Sequence, residues 1–273
     1  MDSRTDATDA RPPAAERAAA LRTALTATRF QQVDWVSETG STNRDLLEEI
    51  TAARPAVLVT DHQTAGRGTK GRSWFDPPGG SLLLSVRLFP TLAPARLHLL
   101  TMALSLAAAQ ACQQVAAVDV GLKWPNDLFV DDRKLAGVLA ESSLRAGRVE
   151  TLVIGIGLNT NWPEQVPAEL AEQAVALNQV AGREIDRVAL AATTMVNFDH
   201  ELTQLESPDG PEALLARYRQ RSATLGRAVR VEQATGPLIG TAVDLTEDGH
   251  LVVEIEGVRR SFAAADITHL RLA

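Results

Sequence analysis

Residues 61–74 read DHQTAGRGTKGRSW. Arg67, Lys70 and Arg72 stand there among glycines 66, 68 and 71, and no acidic residue falls between His62 and Ser73. Glycine lets backbone N–H groups approach a ligand closely, and clustered cations attract an anion. The glycines spell G-x-G-x-x-G, the dinucleotide fingerprint. That fingerprint must open a helix, because the helix N-terminus carries the pyrophosphate. Here Gly71 is followed by RSWFDPPGGS, with two prolines and two more glycines. No acidic residue follows on a second strand at the expected spacing of about 20. The phosphate-loop string G-x-x-x-x-G-K-[ST] occurs nowhere in the chain. Two readings remain on this stretch alone: a cationic loop that wraps and releases an anion, or a surface hairpin with solvated charges.

The elements that must hold this loop are legible on either side. The run AVLVTD predicts a strand ending near Asp61, and SLLLSVRLF predicts the next strand after the turn residues PPGG. Upstream, a polar tail to about residue 14 precedes a helix, and DWVSETGSTNRDLLEEI reads as strand, turn and helix. Ser41, Thr42 and Asn43 are N-cap types, with Asp45 in the first turn where the helix dipole favours it. A long apolar helix is expected from about Ala93 to Val115. Its Thr, Ser, His and Gln residues favour a buried core helix over a membrane span. Residues 127–159 contain strand-like runs that suit an antiparallel meander, with Asp131-Asp132 as one turn. Ala191, Met195, Phe198, Leu202 and Leu205 recur at spacings of four and three, so they share a helix face, and Asp186 is the expected cap. From about Thr224 the pattern becomes short strands between Gly and acidic turns, which predicts a small β-barrel.

Bulk properties bound the function. The chain has 273 residues, 45% of them hydrophobic, and a net charge of -7. That is enough chain for one large domain or for a medium domain plus a small one, and the charge argues against a nucleic-acid coat or membrane-surface binder. The single cysteine, Cys112, excludes an intrachain disulfide and suits a reducing compartment. His98, His200, His250 and His269 are widely scattered and show no metal-ligand spacing, so the sequence assigns no metal ligand.

Five strings then tip the balance together: GSTNRDL (40–46), DHQTAGRGTKGRSW (61–74), LKWPNDL (122–128), KLAGVLAE (134–141) and GIGLN (155–159). In this order they resemble the biotin–protein ligases, and the resemblance runs from about residue 36 to the C-terminus. It implies an α+β fold: a mixed, largely antiparallel sheet with helices packed on it, like a class II synthetase catalytic domain, plus a small C-terminal SH3-like β-domain. The corresponding division is 1–30 for tail and first helix, 31–223 for the catalytic domain and 224–273 for the β-domain. The implied activity activates biotin with ATP and Mg²⁺ to biotinyl-5'-AMP. It then transfers biotin to one lysine of a biotin carboxyl carrier domain of an acyl-CoA or pyruvate carboxylase.

By the same resemblance, Ser41, Thr42, Asn43 and Gln63 face the biotin ring, whose urea both donates and accepts hydrogen bonds. Gly66, Arg67, Gly68 and Thr69 belong to the loop that closes over the ligand. Lys134 matches the lysine at the reacting carboxylate or α-phosphate, and with Arg67 it forms the expected catalytic pair. Its alternative reading is a gatekeeper on an edge strand. Lys70, Arg72, Trp74, Lys123, Asn126, Asp127 and Asn159 are expected on the nucleotide side. Pro-Asn-Asp is also ordinary turn chemistry, and Trp74 and Trp124 either stack on adenine or pack.

Two departures matter. Thr69 stands where many relatives carry Arg, so the loop supplies less charge to the adenylate there. Some relatives begin with a DNA-binding domain, for which the stretch before Gly40 is too short, so no DNA binding is expected. The protein is expected in the cytoplasm, away from membranes. The rival readings are a lipoate–protein ligase of related fold and a catalytically silent adapter.

Overall fold

The computed structural model describes residues 12–49, 54–71, 74–75, 77–145, 148–233, 236–263 and 270–272. Seven strands make the larger sheet: β1 (Gln32–Val36), β2 (Ala56–Thr60), β3 (Ser81–Leu88), β4 (Gly121–Lys123), β5 (Asp127–Val130), β6 (Arg133–Arg145) and β7 (Arg148–Asn159). Their order is β1-β2-β3-β7-β6-β5-β4. Only the β1–β2 pair is parallel, and the crossover between them carries helix α2 (Thr42–Glu48). All other neighbours pair antiparallel, so the sheet is mixed and largely antiparallel, as expected. The remaining helices are α1 (Ala14–Ala24), α3 (His98–Ala116), α4 (Ala168–Gln173), α5 (Leu177–Ala181), α6 (Arg187–Leu205) and α7 (Gly210–Gln220).

Period-two alternation decides which face is the core. Leu82, Leu84 and Val86 of β3 and Leu152, Ile154, Ile156 and Leu158 of β7 point into one apolar cluster with α3 and α6. Each fully buried leucine there contributes on the order of 1.5–3 kcal/mol. The long apolar segment is a core helix: 78% of its most apolar window is buried within the protein. Burial also pushes the thiol of Cys112 up to about 12. Ala191, Met195, Phe198, Leu202 and Leu205 are all buried on one face of α6, and the Asp186 carboxylate caps that helix by accepting from the amides of Val188 and Ala189. The meander turn at Asp131-Asp132 has positive φ at both residues, as a type I′ two-residue hairpin requires.

The C-terminal strands are β8 (Ala228–Gln233), β9 (Gly236–Leu245), β10 (Leu251–Ile255), β11 (Val258–Phe262) and β12 (Leu270–Leu272). They form one antiparallel sheet in the order β11-β10-β9-β8-β12. Its inner residues Val229, Val231, Leu251 and Val253 join the same apolar cluster as the larger sheet. Trp124 is the bolt between the two sheets. It is 2% exposed, its indole N–H donates to the Gly249 carbonyl at 3.1 Å, and its amide donates to Thr224 Oγ1 at 2.9 Å. Of its two sequence readings, packing is the one realised. Gly249 has φ +77°, and a Cβ there would sit 2.6 Å from His98 Nε2. His98 and His250, remote in sequence, thereby come to a ring separation of 5.5 Å.

Candidate functional site

The opposite face of the larger sheet is a cleft of about 550 Å³, within the range that holds a small ligand. Its floor is made of missing side chains. Gly155 and Gly157 lie two apart on β7, so both face the cleft, and Gly137 of β6 is the register partner of Gly157. A Cβ on Gly157 would lie 2.6 Å from the Trp74 ring, and one on Gly137 would lie 3.1 Å from Lys134 Nζ. A Cβ on Gly155 would lie 2.2 Å from Asn43 Oδ1. The glycines therefore admit Trp74, Lys134 and Asn43 to the floor.

Strict alternation would send Lys134 to the core face, with Ala136 and Val138. A bulge prevents this. On β5, Leu128 pairs with Ala136 and Phe129 with Lys134, leaving Leu135 as the extra residue. The bulge re-aims Lys134 into the cleft. There its ammonium lies 2.5 Å from Asp127 Oδ1 and 5.6 Å from the centre of the Trp74 ring. β6 runs between β5 and β7, so the edge-strand gatekeeper reading of Lys134 falls. Lys123 reaches the cleft wall from β4, its ammonium 4.6 Å from the Phe129 ring centre.

The far end of the cleft is polar and closed. Ser41, Thr42 and Asn43 are 4%, 3% and 5% exposed, and Ser85 is fully buried. Buried polar groups need partners. Ser41 is the N-cap residue of α2 but makes no side-chain capping bond, so the expected capping role fails. Thr42 and Asn43 turn their side chains sideways instead. Thr42 donates its amide and its hydroxyl to Gln63 Oε1, at 2.9 and 3.1 Å. Ser85 Oγ lies 2.6 Å from Thr42 Oγ1 and donates to Asn43 Oδ1 at 2.6 Å. Asn43 Nδ2 donates to the Leu139 carbonyl at 3.2 Å and to Glu141 Oε2 at 2.8 Å. Glu141 also pairs with Arg67 of the glycine-rich loop, at 3.0 Å.

The loop is rooted in a buried charge cluster. Asp61, at the end of β2, accepts from Arg17, from Arg187 at 2.8 Å and from the Trp35 indole at 3.2 Å. Arg17 and Asp61 would each be costly to bury alone; packed together they tie α1 and α6 to the start of the loop. Gly68 and Thr69 lie on the cleft wall, and residues 69–71 form one 3-10 turn. Gly66 is not on the wall. Its carbonyl accepts from the Trp74 amide at 3.2 Å, and this bond closes the base of the loop. Arg72 lies outside the described residues, and the Lys70 side chain likewise; the structure describes only that residue's backbone.

Of the expected nucleotide-side residues, Trp74, Lys123, Asn126, Asp127 and Asn159 line the cleft. Asn126 spends its amide locally. Its Nδ2 donates to the Val138 carbonyl at 2.6 Å and its own carbonyl accepts from the Val138 amide at 2.8 Å, continuing the β5–β6 ladder past the Asp127–Gly137 pair. Asn159 Nδ2 donates to the Val175 carbonyl at 3.1 Å. Asn159 Oδ1 and the indole nitrogens of Trp74 and Trp162 are buried without a hydrogen-bond partner. Orphaned polar atoms on a cleft wall are open to a partner from a ligand or from water. Sequence reasoning missed Ser85, Glu141, Gly137, Trp162 and Phe75. The glycine alternation in GIGLN was the available signal for the floor. Trp162 and Phe75, edge to face at 5.7 Å, carried no signal beyond their type. Among the described residues no group of His, Cys, Asp and Glu forms a metal cage.

Comparison with known proteins bears on this arrangement. Residues 34–159 match the biotin/lipoate A/B protein ligase family, and residues 224–270 match the biotin protein ligase C terminal domain. The chain is 34% identical to a biotin–[acetyl-CoA-carboxylase] ligase of Mycobacterium tuberculosis, over 98% of this chain and 100% of that protein. It is 29% identical to the bifunctional ligase/repressor BirA of Bacillus subtilis, over 85% of this chain and 71% of that protein. A solved structure of the biotin protein ligase from Aquifex aeolicus in complex with biotin and ATP superposes with a TM-score of 0.79 at 27% identity, covering 89% of this chain and all of that one.

Proposed function

The chain belongs to the biotin protein ligases, and from that premise we propose how its cleft works as an ATP-dependent biotin–[acetyl-CoA-carboxylase] ligase. The reaction has two steps. A biotin carboxylate oxygen attacks the α-phosphorus of ATP, the bond to pyrophosphate breaks, and biotinyl-5'-AMP remains. The neutral ε-amine of an acceptor lysine then attacks the acyl carbon, the acyl C–O bond of the mixed anhydride breaks, AMP leaves with that oxygen and its electron pair, and the amine nitrogen loses one proton to solvent as the amide forms.

The observation that carries the assignment of residues is the polarity gradient of the cleft. One end offers buried hydroxyls and amides, from Ser41, Thr42, Asn43, Gln63 and Ser85, which suit a neutral urea that donates and accepts. Lys134 on the floor and the loop cation Arg67 on the wall supply positive charge to a site where a carboxylate must be pressed against a polyanion. Fixed cations aimed at developing charge are the strongest electrostatic aid to such a step. Lys134 exchanges its Asp127 partner for the reacting oxygens. Trp74, Trp162 and Phe75 provide an aromatic wall for adenine, and the orphaned Asn159 Oδ1 accepts from the nucleotide. Mg²⁺ fits as an ion carried by the phosphates: the wall offers the carboxylates of Asp127 and Glu172, and Mg²⁺ is commonly held by one or two carboxylates plus substrate oxygens. When bound it supplies charge neutralisation on the phosphates.

The division at residues 31–223 and 224–273 is part of the same proposal, with the β-domain holding the β4–β5 corner in place through Trp124. A carrier domain of pyruvate carboxylase is a second acceptor. The net charge of -7 supports an enzyme without a DNA-binding role, and the single buried thiol supports a cytoplasmic one. The test is transfer. Incubation with ATP, Mg²⁺, biotin and a biotin carboxyl carrier domain should biotinylate one lysine, and lipoate should not replace biotin. Equal transfer of lipoate would move the assignment to the related lipoate ligases.

A further inference from the structure

We infer that Glu141 is a positioning residue that couples the biotin-facing turn to the glycine-rich loop, an inference that rests on the ligase reading above. An acidic side chain beside a site built for a carboxylate and phosphates works against binding unless it has another task. Glu141 has two. One oxygen accepts from Asn43 Nδ2 at 2.8 Å, and the carboxylate pairs with Arg67 at 3.0 Å. Asn43 is 5% exposed, and its amide direction is set by three partners: Ser85 on the oxygen, Leu139 and Glu141 on the nitrogen. Arg67 is 39% exposed and belongs to the loop, so its pair with Glu141 spans from β6 to the loop across the cleft mouth.

The consequence is a linked circuit. Gln63 holds Thr42, Thr42 touches Ser85, Ser85 holds Asn43, Asn43 holds Glu141, and Glu141 holds Arg67, four residues after Gln63. In the empty enzyme Glu141 neutralises Arg67 and tethers the loop. When the anionic ligand arrives, Arg67 changes partner, and Glu141 keeps only the Asn43 amide. Removing the carboxylate therefore has two separable effects. Glu141→Ala loses both the loop tether and the Asn43 acceptor. Glu141→Gln keeps an acceptor oxygen for Asn43 at the same size but loses the charge that holds Arg67.

The experiment measures biotin-dependent ATP–pyrophosphate exchange and hydrogen exchange of the empty protein for wild type and both variants. Glu141→Ala should raise KM for biotin roughly tenfold, the worth of one hydrogen bond to a charged group, with kcat changed by less than about twofold. Glu141→Gln should recover most of that KM. Backbone amides of residues 67–71 should exchange faster in both variants. If Glu141→Ala fails to fold, the glutamine variant alone decides through those amides. An unchanged KM in a folded Glu141→Ala, or unchanged loop exchange in Glu141→Gln, overturns the inference while leaving the ligase reading intact. No biotin-dependent exchange in the wild type overturns the ligase reading itself, and this inference with it.

Discussion

Replacing Gly155 by alanine should damage biotin binding without damaging the strand. Gly155 sits inside β7, between β3 and β6, with Ser85 and Leu139 as register partners. An added Cβ would stand 2.2 Å from Asn43 Oδ1, 3.0 Å from Ser85 Oγ and 3.1 Å from Asn43 Cγ. A carbon–oxygen contact of about 3.3 Å is close to the ordinary minimum, so the Asn43 amide must move by about 1 Å. It has no slack: Ser85 holds its oxygen at 2.6 Å and Glu141 its nitrogen at 2.8 Å. The move breaks one or both bonds, at roughly 1–3 kcal/mol in total, which corresponds to about a 5- to 150-fold rise in KM for biotin. The assay is biotin-dependent pyrophosphate exchange, with a thermal melt of the same sample. Gly40→Ala is the control, because a Cβ there meets nothing within 4 Å although Gly40 adjoins Ser41 in the same motif. A Gly155→Ala enzyme with wild-type KM for biotin would refute the placement of Asn43 at the ligand.

Three other outcomes are expected. Thr69→Arg should slow dissociation of biotinyl-5'-AMP, because Thr69 lies on the cleft wall and brings no charge; an unchanged or faster off-rate would remove Thr69 from the adenylate site. The pKa of His98 is lowered, first by burial and then by the charge of His250, against opposing help from Gly249, Ala95 and Asp248. The folded protein therefore withholds a proton that the unfolded chain accepts, so stability should fall as pH drops through about 6.5, and His98→Gln should flatten that dependence in thermal melts. Cys112, with its thiol pushed up to about 12, should resist alkylation at pH 8 until the protein unfolds, as a thiol titration with and without denaturant would show.

Much of this architecture was legible in the residues, and the failures have a common cause. Apolar runs located β2, β3 and α6 because alternation and helical spacing are local. The capping types of Ser41, Thr42 and Asn43 correctly marked where α2 begins, yet no side-chain capping bond forms there, and all three line the cleft instead. Thr42 and Asn43 spend their side chains on Gln63 and Glu141, which lie 21 and 98 residues further along the chain. By sequence Lys134 could also be a gatekeeper on an edge strand, and only the pairing with β5 reveals the bulge that turns it into the cleft. Trp124 could not be told from an adenine-stacking residue until Gly249 was seen to receive its indole N–H. Glu141 and Ser85 were invisible as site residues because acid and serine are ordinary on strands, and their meaning lies in what stands across the sheet from them.

Lys134, re-aimed by the bulge, is proposed to serve the adenylation step in a biotin-specific cleft. The decisive experiment is ATP–pyrophosphate exchange measured side by side for wild type and Lys134→Ala. Exchange driven by biotin, not by lipoate, and abolished in the folded Lys134→Ala protein is the predicted result. Biotin-driven exchange that survives in Lys134→Ala at the wild-type rate would remove Lys134 from the adenylation step.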